Sequence, residues 1–304
     1  KVYADVFDKP AKAFLQNPGP LGANAAVLCD DMLTLKELPK RIADTSDFKG
    51  HTFFEGSSIR KIGDTYYFVY SSEKNHELCY ATSNFPDCNF RFRGTLVSNG
   101  DVGYHGRTER KRCNATGTTH GGMEQIGDKW YIFYHRLTHG SDYSRQMCAE
   151  QIEIMPDGSI AQVEMTSSGL TNNDLPGEGE YPAVICCNLT NGKMPHIANK
   201  SCKDIPCITH SGEEYFVGYA AKGTQIIYKY FSVTDGTELY VTARGTGKLQ
   251  VYLNNNYIGD MFFHEAEWEI KELRICTSRK HTAIKLFVAA GKLDVLSLGF
   301  GAKK

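Results

Sequence analysis

Glu55-Gly-Ser-Ser-Ile-Arg-Lys-Ile-Gly-Asp-Thr-Tyr-Tyr-Phe-Val-Tyr-Ser71 is the stretch whose reading decides the fold class. A carboxylate stands at a turn, a short strand follows, Gly63-Asp64 closes a hairpin, and a strand of aromatic and β-branched residues returns. Such runs punctuated by Gly-Asp predict a β-hairpin. The pattern recurs 64 residues on, in His120-Gly-Gly-Met-Glu-Gln-Ile-Gly-Asp-Lys-Trp-Tyr-Ile-Phe-Tyr-His-Arg136, with the same Ile-Gly-Asp turn, an aromatic pair and a closing Tyr. A weaker copy stands upstream, where Val6-Phe7 and Ala13-Phe14-Leu15 flank Asp8-Lys9-Pro10. Multi-strand repeats of this length predict propeller blades rather than a sandwich. In the two strong copies a polar residue, Glu55 or His120, precedes the first strand, so a propeller would bring both to one central funnel.

Composition narrows the partners. The 304 residues allow one large domain or two of ordinary size. Lys plus Arg number 34 against 35 Asp plus Glu, which gives no basic surface for nucleic acid and no acidic one for a cationic partner. No apolar run is long enough to span a membrane. The chain begins at Lys1 without a start methionine or an apolar leader, as a processed or truncated product would. Its ten cysteines contain no Cys-x-x-Cys pair, so zinc or iron–sulfur spacing is absent and disulfides are expected, with ordinary buried thiols as the alternative for several. Asn-x-Ser/Thr sequons at Asn114, Asn188 and Asn199 add the expectation of a secreted glycoprotein.

Taken in order, residues 1–100 read as strands and turns, 101–118 as a long functional-type loop, and 120–166 as the second strong blade with a strand from Ile160 to Met165. Helical periodicity is scarcely visible, so the chain is expected to be all-β. Between Ser168 and Glu180 the composition turns to Gly, Asn and Pro, which marks a domain boundary. Beyond it, short strands at 215–220, 225–231, 238–243, 248–253, 268–273, 282–288 and 295–300 are separated by Asp-Gly, Gly-Thr-Gly and Asn-Asn turns and predict a β-sandwich.

Phe53-Phe54-Glu55-Gly56-Ser57-Ser58-Ile59-Arg60-Lys61 with Tyr66–Ser71 closely resembles glycoside hydrolase family 43, as do His120-Gly121-Gly122, Trp130–Arg136, Ser144-Arg145-Gln146 and Asp157-Gly158-Ser159-Ile160. The tail resembles a family 6 carbohydrate-binding module through Gly218-Tyr219-Ala220, Tyr228–Phe231, Arg244-Gly245 and Gly247–Val251. The resemblance implies a partial five-bladed β-propeller over 1–170, about three blades, followed by a jelly-roll β-sandwich over 171–304. It implies inverting hydrolysis of xylan or arabinoxylan side chains, with a polysaccharide or oligosaccharide as partner. Glu55 looks like the general acid, Asp5 like the aspartate that tunes it, His120 like a central histidine near a metal or water, and Arg145 like a sugar-contacting arginine. Trp268, Tyr228 and Tyr257 are the candidates for stacking on sugar rings in the tail. Calcium is implied by the resemblance alone, since no EF-hand-type loop is present.

One departure matters. An inverting glycosidase needs an acid and a base with room for a water between them. The family's base is an aspartate on the first blade, and no Asp here matches it: Asp30-Asp31 falls in a surface turn, and Asp64 and Asp128 are hairpin residues. Either a separate amino-terminal fragment supplies the base and closes the ring, or the protein is a catalytically inactive carbohydrate-binding or structural extracellular relative.

Overall fold

The computed structural model describes residues 22–44, 47–171 and 173–301. Asp5 and the weak upstream repeat copy lie outside them. The described chain is nearly all β, with helix confined to short 3-10 turns such as Tyr104–Gly106 and Glu109–Lys111 within the 101–118 loop. Two compact units divide it. One comprises the chain up to Leu96 with Thr119–Tyr134 and Glu153–Gln162; the other comprises Val97–Thr118, His135–Ile152 and everything from Val163 onward.

The first unit opens with β1 (Ala23–Ala25) and β2 (Lys40–Ala43), an antiparallel pair. The four-stranded sheet β3 (Phe53–Ile62), β4 (Thr65–Ser72), β5 (Glu77–Ser83) and β6 (Arg91–Ser98) follows in sequential order. Ile62 pairs with Thr65, so Gly63-Asp64 is a two-residue turn, and Gly63 supplies the positive φ of 57° that such a turn demands. The second copy repeats the device: β7 (Gly122–Ile126) and β8 (Lys129–Thr138) meet through Ile126 and Lys129, with Gly127 at φ 62°.

β4 is buried on both faces. Phe68 and Tyr70 pack with Ile42, Ala43, Cys79 and Ala81 on one side, flanked by Phe48, Phe53 and Phe92. On the other side Tyr67 donates its hydroxyl to the Gly158 carbonyl at 2.9 Å. The neighbouring Tyr80 hydroxyl accepts from the Ile160 amide at 2.7 Å. The strand expected from Ile160 to Met165 is therefore not formed. Its amides are taken by side chains instead, Ile160 by Tyr80 and Met165 by the Asp101 carboxylate.

β9 (Ser141–Ile152) follows β8, and the second unit continues with ten strands that form one sheet wrapped around a single core. These are β10 (Leu175–Pro176), β11 (Gly179–Pro182), β12 (Asn188–Thr190), β13 (Cys207–Ser211), β14 (Glu214–Ala221), β15 (Gln225–Val233), β16 (Glu238–Leu253), β17 (Asn256–Phe263), β18 (Glu269–Arg274) and β19 (Arg279–Phe300). β16 and β19 pair along most of their length. The first half of β16 takes β18 as its other neighbour, and the second half takes β17. Both halves of each long strand send Leu, Val, Ile and Phe side chains into the same core, which makes the sheet a sandwich.

Gly245-Thr246-Gly247 carries the sequence signal of a turn, yet β16 passes straight through it. Gly245 at φ 109° and Gly291 at φ 75° form the corner where the strands bend between layers. β17 lies outside the strands expected from the sequence.

The expected disulfide framework is not present: all ten cysteines are free thiols, five of them buried. Cys186, for example, belongs to the sandwich core, where a thiol packs as a small apolar group. A different tie holds the loop and β15 together. Lys229 is buried, with Nζ 2.7 Å from Glu164 and 3.7 Å from Asp101, while Asp101 also accepts from the Asn188 amide at 2.9 Å.

A Cβ at Gly291 would stand 2.0 Å from the Thr246 carbonyl oxygen. Gly291→Ala should therefore cost about 3 kcal/mol in urea unfolding, since positive φ alone costs a non-glycine residue of order 1–3 kcal/mol. Lys229→Met should cost about 3–5 kcal/mol in the same measurement, because it leaves the buried Asp101 carboxylate and the partly buried Glu164 carboxylate without their cation.

Candidate active site

Glu55 enters on β3 and His120 immediately precedes the glycine pair that begins β7. Glu55 Oε1 and His120 Nε2 are 2.9 Å apart, with the two side chains 45 % and 34 % exposed. The approach depends on glycine. Gly56 has φ 62°, and a Cβ on it would stand 2.6 Å from the His120 ring. Gly121 leaves no room for a Cβ against the Phe133 carbonyl, and one on Gly122 would stand 2.7 Å from Ser58 Oγ. The backbone can thus bring β3 and β7 together with the acid of one repeat against the imidazole of the next. Repeat-equivalent residues face one another there as well: Arg60 Nη2 is 2.9 Å from Glu124, a 64-residue separation equal to the repeat offset.

His120 is therefore set against a carboxylate in the described structure. In the sequence these glycines stand out only as motif members; their role as spacers for the imidazole needs the third dimension.

The other candidates belong to the second unit. Arg145 is exposed on β9, its guanidinium 3.5 Å from the Asp142 carbonyl. Trp268 donates Nε1 to Glu214 at 2.8 Å, and the Arg244 guanidinium lies 4.3 Å over its ring. Arg244 is held in turn by Asp294 at 3.2 Å, a pair the sequence does not single out. Tyr257 is exposed at the β16–β17 hairpin, edge-on to Tyr252 with ring centroids 5.7 Å apart. Tyr228 is a correction: it has no exposed surface and lies within the sandwich core, because the inward alternation of β15 places it with Ile226. It offers no face to a sugar.

Two sequons are corrected too. Asn114 is 5 % exposed; its amide donates to the Cys187 carbonyl at 2.9 Å and its oxygen accepts from the Leu189 amide. Asn188 is 1 % exposed and donates to Asp101. Both side chains are bound up as internal struts and are not presented for glycosylation. Asn199 is exposed.

The chain belongs to glycosyl hydrolases family 43, whose sequence profile matches residues 6–160, half of its length. It is 51 % identical over 179 residues to a xylosidase/arabinosidase of Thermoclostridium stercorarium, covering 57 % of this chain and 38 % of that protein. A xylosidase/arabinosidase of Bacteroides ovatus is 28 % identical over 152 residues, covering 47 % of this chain and 42 % of its own. The chain thus spans about four-tenths of the length of these relatives. Among solved structures it is similar to a family 43 arabinoxylan arabinofuranohydrolase from Bacillus subtilis (TM-score 0.47, 18 % identity, covering 95 % of this chain and 62 % of that one). It is also similar to a family 6 carbohydrate-binding module from Clostridium stercorarium (TM-score 0.35, 14 % identity, covering 44 % of this chain and all of the module).

Gly56→Ala should displace the His120 ring and cost about 1–3 kcal/mol, from the positive φ and the close approach together. Chemical denaturation measures the loss, and a change in the His120 ring resonances by NMR shows that it acts at this contact.

Proposed function

We propose that the chain is part of a secreted glycoside hydrolase that acts on xylan- or arabinoxylan-type polysaccharide by single displacement with inversion. Membership of family 43 is the observation that carries this reading. Glu55 is the general acid: it protonates the departing glycosidic oxygen as the bond to the anomeric carbon breaks. His120 Nε2, 2.9 Å from Oε1, holds the carboxyl in place. Asp5 tunes the acid.

The base is a second carboxylate supplied from outside the described residues, set back far enough for a water to attack from the opposite face of the ring. In the second unit Tyr257 and Trp268 offer aromatic surface for a polysaccharide chain. Secretion follows from the substrate class, a polymer too large to enter a cell.

The test is hydrolysis of an aryl xyloside and an aryl arabinofuranoside by the complete protein. Glu55→Gln should lower kcat by about 10²–10⁴-fold, the usual contribution of a positioned acid. Activity should survive better on substrates whose leaving group needs no proton. If Glu55→Gln and the parent are equally inactive while xylan is still bound, the non-catalytic carbohydrate-binding reading takes its place. Separately, Tyr257→Ala should weaken retention on xylan in affinity electrophoresis several-fold if that face stacks on sugar.

A further inference from the structure

Within the first unit, three side chains that take no part in the Glu55–His120 pair converge at one place. His51 precedes β3, and Glu77 and Cys79 stand two apart on β5, on the same side of that strand. His51 Nδ1 lies 2.7 Å from Glu77 Oε1 and 3.7 Å from Cys79 Sγ, and all three donor atoms lie within 4.8 Å of one another. Glu77 is 3 % exposed and Cys79 fully buried, while the His51 side chain is 29 % exposed and opens the cluster to solvent.

We propose that His51, Glu77 and Cys79 form a binding site for a divalent cation of the zinc class, with a water in the fourth position. The donor set carries the choice of metal: one imidazole nitrogen, one thiol sulfur and one carboxylate oxygen is a zinc set, whereas calcium and magnesium take oxygen only. Spacing carries the geometry. Tetrahedral zinc with bonds of about 2.0–2.3 Å holds its donors roughly 3.3–3.8 Å apart. The sulfur–nitrogen separation already has this value, and the nitrogen–oxygen one needs only to open by about half an ångström as the bridging proton leaves.

The surroundings fix the ligands as a metal's outer shell does. Ser72 Oγ donates to Glu77 Oε1 at 2.7 Å and Thr95 Oγ1 to Oε2 at 3.2 Å. Thr95 Oγ1 also lies 3.6 Å from Cys79 Sγ. The His51 ring stacks on Phe92 at 4.8 Å, and its carbonyl accepts from the Tyr70 hydroxyl at 2.7 Å. Lys74 Nζ lies 3.7 Å from Glu77 and is partly exposed. Binding exchanges protons for metal: the Cys79 thiol releases its proton to solvent, and His51 presents Nδ1 bare with its proton on Nε2.

The full chain, stripped of metal by a chelator and kept reduced, should be titrated with Co²⁺. One equivalent should produce a near-ultraviolet thiolate-to-cobalt charge-transfer band that Zn²⁺ abolishes by displacement, and Zn²⁺ should raise the thermal midpoint. Cys79→Ser should lose the band, and His51→Gln, at a partly exposed position, should weaken Co²⁺ binding at least tenfold. A band that persists undiminished in His51→Gln or Cys79→Ser belongs to other cysteines and overturns the proposal. So does the absence of both band and midpoint shift, which would leave the cluster a histidine–glutamate ion pair with a thiol packed on it.

Discussion

Burial of β4 on both faces is the constraint on which the first unit depends. Tyr67, Phe68, Val69 and Tyr70 are successive residues, so alternation sends two side chains to each side of the sheet, and each side must be covered. On one side the aromatic cluster of Phe48, Phe53 and Phe92 does this. On the other the chain returns, and its backbone is captured by the hydroxyls of Tyr67 and Tyr80. A strand so enclosed needs a partner at both edges, and its partners β3 and β5 carry the two chemical clusters of this unit. Glu55 lies on β3; Glu77 and Cys79 lie on β5.

Placement of a carboxylate is not enough to make a site; something must approach it. Glycine decides that approach. Where Gly56 bares its backbone, the imidazole of His120 can lie against it, and the bare Gly121-Gly122 pair lets the second repeat cross close to the first. The same principle shapes the second unit, where Gly245 and Gly291 let two long strands turn a corner without ending. Side chains there compensate for irregular backbone. Asp101 accepts from the Met165 amide and from Asn188, and Asn114 donates to the Cys187 carbonyl and accepts from the Leu189 amide; burial of these groups is tolerable because each is bonded.

Both hairpins, the repeat offset and the all-β class are legible in the sequence, because turn chemistry and period-two alternation are local properties. Glu55 and His120 stand out for the same reason, as polar residues at equivalent entries to two similar hairpins. Other readings fail where local pattern is ambiguous. Gly245-Thr246-Gly247 satisfies the description of a turn and of a strand corner equally well, and only pairing with β19 distinguishes them. Tyr228 and Tyr257 are both tyrosines of the sandwich, yet one is core and the other exposed, since the face that turns inward depends on register against neighbouring strands. An Asn-x-Ser/Thr pattern does not say whether its asparagine is a surface acceptor or a buried strut.

By itself, then, the sequence determined most of the strands, their turns and the family resemblance, all of which follow from spacing within a few residues. Tertiary structure decided that Glu55 meets His120 across 65 residues, and that His51 meets Glu77 and Cys79 across 26 and 28. Those meetings depend on which strands become neighbours and on where a missing Cβ lets them close, and neither is written in any one segment of the chain.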